Sequence, residues 1–515
     1  MGLWTLYFAA KIYLYYKGFI RLDIFLNLLF LAYLILPVPK QIKSIKSFQA
    51  VRLFLSVIFG VLLFWHDTWF PAPLDAFHLL KQNGMPSKEY IYSFLLRFYS
   101  LKEMIILVVI ASFCVLVRRY RKSMAAVTAV LLLSPLLVSS GEAGHRSGKE
   151  IEQYLGAFYN AEQTKLIHLQ SSQGGHSDFD IVILQVCSLS WDDLQELNMA
   201  GHPFFKQFDY VFTNFNSVST YSNPSAIRLL NANCGQRRHG DLYGSLPQDC
   251  SLMESLRAQG DTIYFARNHN GKYGNFDDEV RRYGHLDVPP FALVNLAAKK
   301  YMFDDSPVYD DYAVLDQWWA ARQKTKSKKT ALYYNTVSLH DGSHWTDDKD
   351  WWRKDHREIY REFLSGLLND LSKFFNLVSS SGRDVVVIVI GEHGRAVRGS
   401  AMETPGLRDI PLPRITTVPV GIKLFGKGYN NVQAGRNLII SKPASYFALS
   451  YMLAAFTERS PFQSDHYATR SFIDSIPQTF FVSENQDNVI VKRDSDYYLY
   501  GKDKKWIFLT ENELK

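Results

Sequence analysis

The sequence predicts two folding units of different class, a helical membrane-embedded part followed by an α/β sandwich. Three observations carry that expectation. The first 140 residues hold apolar runs approaching bilayer length, residues 141–176 turn polar, and beyond them short aliphatic strands alternate with longer helical patterns. At 515 residues, with 47% hydrophobic and 15% aromatic content, the chain is long enough for more than one folding unit and is no disordered tail.

The candidate spans are residues 3–16, 24–38, 51–65, 103–117 and 125–139, a five-helix transmembrane domain within residues 1–140. Several are shorter than the roughly 20 residues a bilayer needs and borrow flanking aromatic or basic residues, so a four-span arrangement stays open. The first contains Lys11, which must snorkel or face a neighbouring helix. The basic short loops VPKQIKSIKSF (Val38 to Phe48) and RRYRKS (Arg118 to Ser123) are expected on the cytoplasmic side, which places everything after Ser140 outside. Between the third and fourth spans, IYSFLLRFYSL reads as an amphipathic helix along the bilayer surface. The start lacks a basic n-region and a prompt small-residue cleavage site, so the chain is expected to remain anchored. The net charge of +7 is largely topology signal and calls for no nucleic acid.

A linker is expected over 141–176, where SSGEAGHRSGKE and QSSQGGHSD bracket a helical stretch from Ile151 to His168. From 177 to 515, FDIVILQVC, TIYFAR, ALYYNTVSL, DVVVIVIG and VPVGIKLFG read as strands. Their near-continuous Val/Ile runs suit a parallel sheet buried on both faces. Helices are expected at Ser225–Asn231, Lys354–Leu377 and Ala444–Thr457, and VIVKRDSDYYLYGKDKKWIFL reads as an antiparallel hairpin or meander.

In an open α/β sheet, ligands collect where strands end at their carboxyl side. Glu392 and His393 sit at such an end in VVVIVIGEHGRA, and Cys187 closes FDIVILQVCS. Thiolate, imidazole and carboxylate form a ligand set suited to zinc. The bland alternatives are a small buried hydrophobe for Cys187 and a loop cap for the Glu-His pair. In VSTYSNPSAIRLL, Ser222 precedes a helix with Pro224 near its first turn. It is either an ordinary N-cap or a nucleophile at an anion-binding helix end, activated by a metal. His340 and His344, in HDGSHW after another strand, are each a candidate general acid or phosphate contact, or simply surface histidines. Arg408, in PGLRDIP, offers a guanidinium fork for phosphate oxygens, or is a solvated arginine.

The pieces VCSLSW, FNSVSTYSNPSAIRLL, NTVSLHDGSHW, GEHG and GLRDIP, in this order after the membrane helices, together with FWHDTW and SPVYDD, resemble the bacterial cellulose phosphoethanolamine transferase family over nearly the whole chain. That resemblance implies an alkaline phosphatase/sulfatase-like α/β/α sandwich and a zinc-dependent domain in the periplasm, anchored in the inner membrane by several spans. It implies transfer of phosphoethanolamine from phosphatidylethanolamine to glucose 6-hydroxyls of nascent cellulose in the biofilm matrix, alongside cellulose synthase subunits. Carried over by position, it implies Ser222 as nucleophile and metal contact, Cys187, Glu392 and His393 as zinc ligands, and Tyr221, His340 and Arg408 as supporting catalytic residues. The lipid A phosphoethanolamine transferases differ in using Glu at the place of Cys187 and Thr at the place of Ser222. The sulfatase pattern would need Arg where Ala226 stands. Alternative functions are transfer to another glycan or lipid, phosphodiester hydrolysis, and a scaffold for cellulose synthase that has lost its chemistry.

Of the other cysteines, Cys234 and Cys250 lie sixteen positions apart in the outward-facing part, where disulfides persist, and are expected to pair. Cys114, inside a span, is expected to be inert packing.

Overall fold

The computed structural model describes residues 2–16, 20, 22–37, 46–68, 86–97, 101–116, 128–130, 132–133, 146–170, 178–426, 437–462, 467, 469–501 and 504–514. Its central sheet is built from β1 (Asp180–Val186), β2 (Tyr210–Asn216), β3 (Thr262–Arg267), β4 (Thr330–Thr336), β5 (Val385–Gly391), β6 (Thr417–Phe425) and β7 (Leu438–Ile440), in the order β7-β2-β6-β5-β1-β4-β3. β1, β4 and β5 are buried at every residue, which is why their sequences run apolar without alternation. One face packs Leu229, Leu230, Met253, Leu256, Leu449 and Phe456 against Ile181, Ile183 and Ile388. The other packs Trp318, Trp319, Phe363, Leu367 and Phe374 against Val182, Leu184 and Val387. Helices on both faces make this the expected α/β sandwich.

The sheet is mixed and not purely parallel. β6 runs antiparallel to both β5 and β2. The chain leaves β5 and returns as β6 without a crossover helix, so the return strand is reversed. Burial on both faces produces an apolar run whatever the strand direction, so the sequence pattern was silent on this point. Sequence reading also missed β2, whose Thr213 and Asn214 break the apolar run, and β7, which has only three residues.

Helix boundaries moved in the same way at several places. The linker helix covers Gly148–Gln163, started by a capping box between Ser147 and Glu150, and stops short of the expected His168. The long helix is His356–Ser381, closed by Gly382 at φ 67°, and the late one is Tyr446–Glu458. The expected meander is a four-stranded antiparallel sheet of Val482–Glu484, Val489–Arg493, Asp496–Tyr500 and Trp506–Leu509. Val482, Val491 and Tyr498 pack on Ile151, Leu155 and Phe158 of the linker helix. Cys234 and Cys250 form a disulfide, as expected.

In the first 140 residues, helices form at four of the expected spans, Gly2–Tyr16, Ile24–Ile35, Lys46–Asp67 and Leu101–Leu116. Among the described residues, Lys46–Asp67 alone is long and apolar enough to cross a membrane. Most of the fifth expected span lies outside the described residues, as do most of both basic loops. Lys11 faces neighbouring helices: its Nζ lies 2.5 Å from Asp67 Oδ2 and 2.8 Å from Asn27 Oδ1, with both charged side chains fully buried. The expected surface helix is Lys88–Leu96, N-capped by Ser87 and leaving Ile91, Tyr92, Leu95 and Leu96 exposed.

Candidate metal centre and nucleophile

Parallel pairing sets Val186 of β1 level with Gly391 of β5 and Thr336 of β4. Cys187, Glu392 and His393 therefore leave the sheet side by side. The glycines of GEHG allow the close approach: a Cβ on Gly391 would strike the Leu189 carbonyl, and one on Gly394 would strike Ser190 and Asp193. Ser188 takes a left-handed φ of 61°, so the chain turns sharply after Cys187.

The three side chains are buried, and one ligand atom from each lies within 4.8 Å of the others. Cys187 Sγ is 3.8 Å from His393 Nε2, which is 3.8 Å from Glu392 Oε2. His393 Nδ1 sits 2.9 Å from the Gly394 carbonyl. The same Nδ1 lies 2.9 Å from Arg408 Nη1, a donor, so it faces one acceptor and one donor, while Nε2 is the ring nitrogen nearest Cys187 and Glu392.

Glu392 is held at one oxygen and free at the other. Asn335 Nδ2 donates to Oε1 at 2.6 Å, while the buried Oε2 has no hydrogen-bond partner among the described residues. Behind Asn335, His269 Nε2 donates to its Oδ1 at 3.0 Å, and the Gly271 N–H donates to His269 Nδ1 at 3.1 Å. This relay fixes the Asn335 amide and thereby the free oxygen of Glu392. An orphaned buried carboxylate oxygen is a costly feature that a cation relieves.

Burial works against the charged form of each group. Burial, with the Glu392 carboxylate beside it, pushes the Cys187 thiol up to about 12. Burial raises Glu392, and burial with Arg408 nearby holds His393 well below the ordinary histidine value. A soft divalent cation reverses the first two penalties. The donor set fits zinc in type and proximity.

Ser222 lies at the first position of a nine-residue helix, Ser222–Leu230. Tyr221 occupies the N-cap place in extended conformation, with no side-chain capping bond. The Ser222 hydroxyl is therefore not a cap; its Oγ points to Cys187 Sγ at 3.6 Å. Ser225 ties the same helix to the metal-side loop by donating to the Glu392 carbonyl at 3.1 Å. Tyr221 is exposed and donates to Asp409 Oδ1 at 2.5 Å.

Arg408 is brought to the same place: its Nη1 lies 2.9 Å from His393 Nδ1 and 3.4 Å from Ser188 Oγ. Its loop is pinned by Asn485, which donates to the Asp409 carbonyl at 2.9 Å and accepts from the Thr220 N–H at 3.2 Å. His340 stacks on Phe303 at 5.3 Å, and burial with Arg408 nearby lowers it to about 4, so it is neutral at physiological pH. His344 points elsewhere, stacked on Trp351 at 4.6 Å. Sequence reading missed Asn335, His269, Asn485 and Asp409. A lone amide near the end of the buried strand ALYYNT was the one available signal.

A model described as the cellulose biosynthesis protein BcsG C-terminal domain matches residues 139–506, and one described as its N-terminal domain matches residues 4–135. The chain belongs to the BcsG family. The BcsG of Escherichia coli (strain K12) is 31% identical to it, over 98% of this chain and 95% of that protein. Among solved structures, an alkaline phosphatase superfamily protein from Vibrio parahaemolyticus shares 13% identity at a TM-score of 0.46, covering 69% of this chain and 87% of that one. Lipooligosaccharide phosphoethanolamine transferase A from Neisseria meningitidis shares 11% at 0.42, covering 85% of this chain and 96% of that one. The family models meet the N-terminal helices and the sheet domain alike, so the BcsG assignment spans both parts.

Proposed function

We propose that this BcsG-family chain transfers phosphoethanolamine from phosphatidylethanolamine to glucose 6-hydroxyls of nascent cellulose, through an ester on Ser222. The observation that carries the reading is the Ser222 hydroxyl at a helix N-terminus, 3.6 Å from the thiol of a buried thiol, carboxylate and imidazole group. Family membership in cellulose biosynthesis supplies the acceptor class.

Cys187, Glu392, His393 and Ser222 would hold a zinc ion, which supplies Lewis acidity favouring the deprotonated thiol and hydroxyl. In the first half-reaction Ser222 Oγ forms a bond to phosphorus and the bond from phosphorus to the glycerol oxygen breaks; diacylglycerol leaves with a proton. In the second, glucose O6 bonds to phosphorus, the Ser222 ester bond breaks, and the serine hydroxyl is restored. Arg408 and the first N–H groups of the Ser222 helix share the charge on the nonbridging oxygens. His340 donates its Nδ1 proton to the Asp341 carbonyl at 2.8 Å, which leaves Nε2 to accept a proton from the acceptor hydroxyl. Tyr221, tied to Asp409 beside Arg408, borders the nucleophile as a supporting residue.

The donor is dissolved in a bilayer, which gives the membrane helices their purpose. The proposed division is a multi-pass anchor over 1–140 in the inner membrane, a linker over 141–176 and a periplasmic catalytic domain over 177–515, working beside cellulose synthase subunits. The Cys234–Cys250 disulfide suits that oxidising side. Mass spectrometry of cellulose from cells with this chain, without it, and with Ser222→Ala tests the reading. A phosphoethanolamine increment on glucose that requires Ser222 is expected. Persistence of the increment in Ser222→Ala overturns it, as does unmodified cellulose beside a modified lipid or other glycan.

A further inference from the structure

We propose that Arg97, at the end of the surface helix Lys88–Leu96, is a positioning residue of the active site that holds the His340–Asp341 turn in its working conformation. The inference rests on His340 serving the transfer described above.

Arg97 lies in the stretch between two N-terminal helices, 244 positions from Asp341. Its Nη1 donates to Asp341 Oδ2 at 2.7 Å and its Nη2 to Oδ1 at 2.9 Å, a two-pronged contact with both side chains nearly buried, at 5% and 6% exposure. Arg395 Nη2 donates to Oδ1 of the same carboxylate at 2.7 Å, and the Tyr90 hydroxyl adds a contact to Oδ2 at 3.3 Å. Burial alone would raise Asp341, yet Arg395 and Arg97 hold it well below the usual carboxylate range. The backbone carbonyl of this clamped residue is the acceptor for His340 Nδ1. Rotation of the Asp341 peptide would release that proton and the tautomer with it.

Arg97 also reaches the other side of the site. Its Nη1 lies 3.4 Å from the Pro405 carbonyl, and Gly406, at φ 88°, leaves no room for a Cβ beside the guanidinium. Arg408 follows two residues later. The rest of the helix face supports the same turn: Tyr90 packs on Phe303 at 5.3 Å, Phe303 stacks on His340, and the Ser87 N–H donates to the Phe303 carbonyl at 2.9 Å. The opposite face, Ile91, Leu95 and Leu96, is exposed and apolar, and Leu101–Leu116 begins four positions after Arg97. One segment thus touches both the His340 turn and the Arg408 loop.

Two arginines serve one carboxylate, so loss of Arg97 leaves Asp341 paired with Arg395. What disappears is the fork that fixes its rotation. The test uses the full-length chain in vesicles of phosphatidylethanolamine and phosphatidylglycerol, with cellopentaose as acceptor. Wild type, Arg97→Ala, Arg97→Lys, His340→Ala, Ser222→Ala and the double variant Arg97→Ala/His340→Ala are compared. Arg97→Ala is expected to lower kcat by about 10- to 100-fold with the donor KM little changed. Arg97→Lys, which keeps the charge and loses the fork, recovers only part. The deciding result is the cycle: Arg97→Ala causes no further loss once His340 is absent. Equal losses in both backgrounds, full recovery with lysine, or a loss confined to KM overturn the proposal. Wild type indistinguishable from Ser222→Ala would instead sink the transfer reading, and this inference with it.

Discussion

The two ends of the central sheet each bury a carboxylate and treat it in opposite ways. At the amino end, Asp180 opens β1 with no exposure, and both oxygens are saturated. Arg322 donates at 2.8 to 3.1 Å, Arg383 at 2.9 Å and the Thr330 N–H at 2.8 Å. At the carboxyl end, Glu392 is equally buried but has one oxygen bonded to Asn335 and one without a hydrogen-bond partner among the described residues. A saturated buried charge rigidifies a fold. An unsaturated one, next to a thiol and an imidazole, costs stability unless something positive completes it. The difference sets the two acids of one sheet apart, where burial alone does not.

That contrast can be broken by exchanging the demands on the two acids. Glu392→Gln is expected to lower transfer by about 10³-fold or more, since a ligand to a Lewis acid carries several kcal/mol of barrier. The same variant treated with chelator should melt no lower than chelated wild type, because an uncompensated acid has been removed. Scanning calorimetry with and without chelator reads both states; a chelator-dependent shift as large in the variant as in wild type goes against the account.

Asp180→Ala should do the reverse. Leaving Arg322 buried without its partner is expected to cost about 3–5 kcal/mol in urea unfolding. Turnover per folded molecule should hold near wild type. A variant that unfolds normally yet loses its activity would erase the distinction between the two ends.

A smaller effect sharpens the Glu392 side. Asn335→Ala removes the one bond that aims the free oxygen, and is expected to weaken metal affinity by about 10- to 100-fold, read by competition with a chromogenic chelator. Unchanged affinity would show that Glu392 is aimed by packing alone.

The smallest effect comes from His269, which stands behind Asn335. Burial, then the nearby Arg267, lowers it from 6.5 to about 3. The unfolded chain takes up a proton below about pH 6.5 that the folded chain refuses until about pH 3, so this residue makes stability fall as pH falls through that window. His269→Gln should flatten that acid limb, seen as a smaller drop in melting temperature between pH 7 and pH 4.5. An unchanged drop would mean that the histidine is protonated in the fold.

Much of this was legible in the sequence, for reasons that differ between elements. β1 and β5 were readable because a strand buried on both faces is largely apolar, and their ends marked Cys187, Glu392 and His393. Ser222 was readable as a helix-start hydroxyl, but its place inside the helix depends on the extended backbone of Tyr221. The direction of β6 was not readable, because burial does not encode direction. Nor were Asn335, His269 or Arg97, whose meaning lies in contacts across 57, 66 and 244 positions. The surface helix shows both limits: its amphipathic pattern was visible, while nothing in the pattern marked the contact of Arg97 with Asp341.

The account stands most directly on the metal. Elemental analysis of the full-length chain, purified without chelator, should find zinc near equimolar with protein. The Cys187→Ala/Glu392→Gln/His393→Ala variant, folded as judged by circular dichroism, should have lost it. Well-folded wild type without a bound transition metal, or a triple variant that retains it in full, would contradict the account.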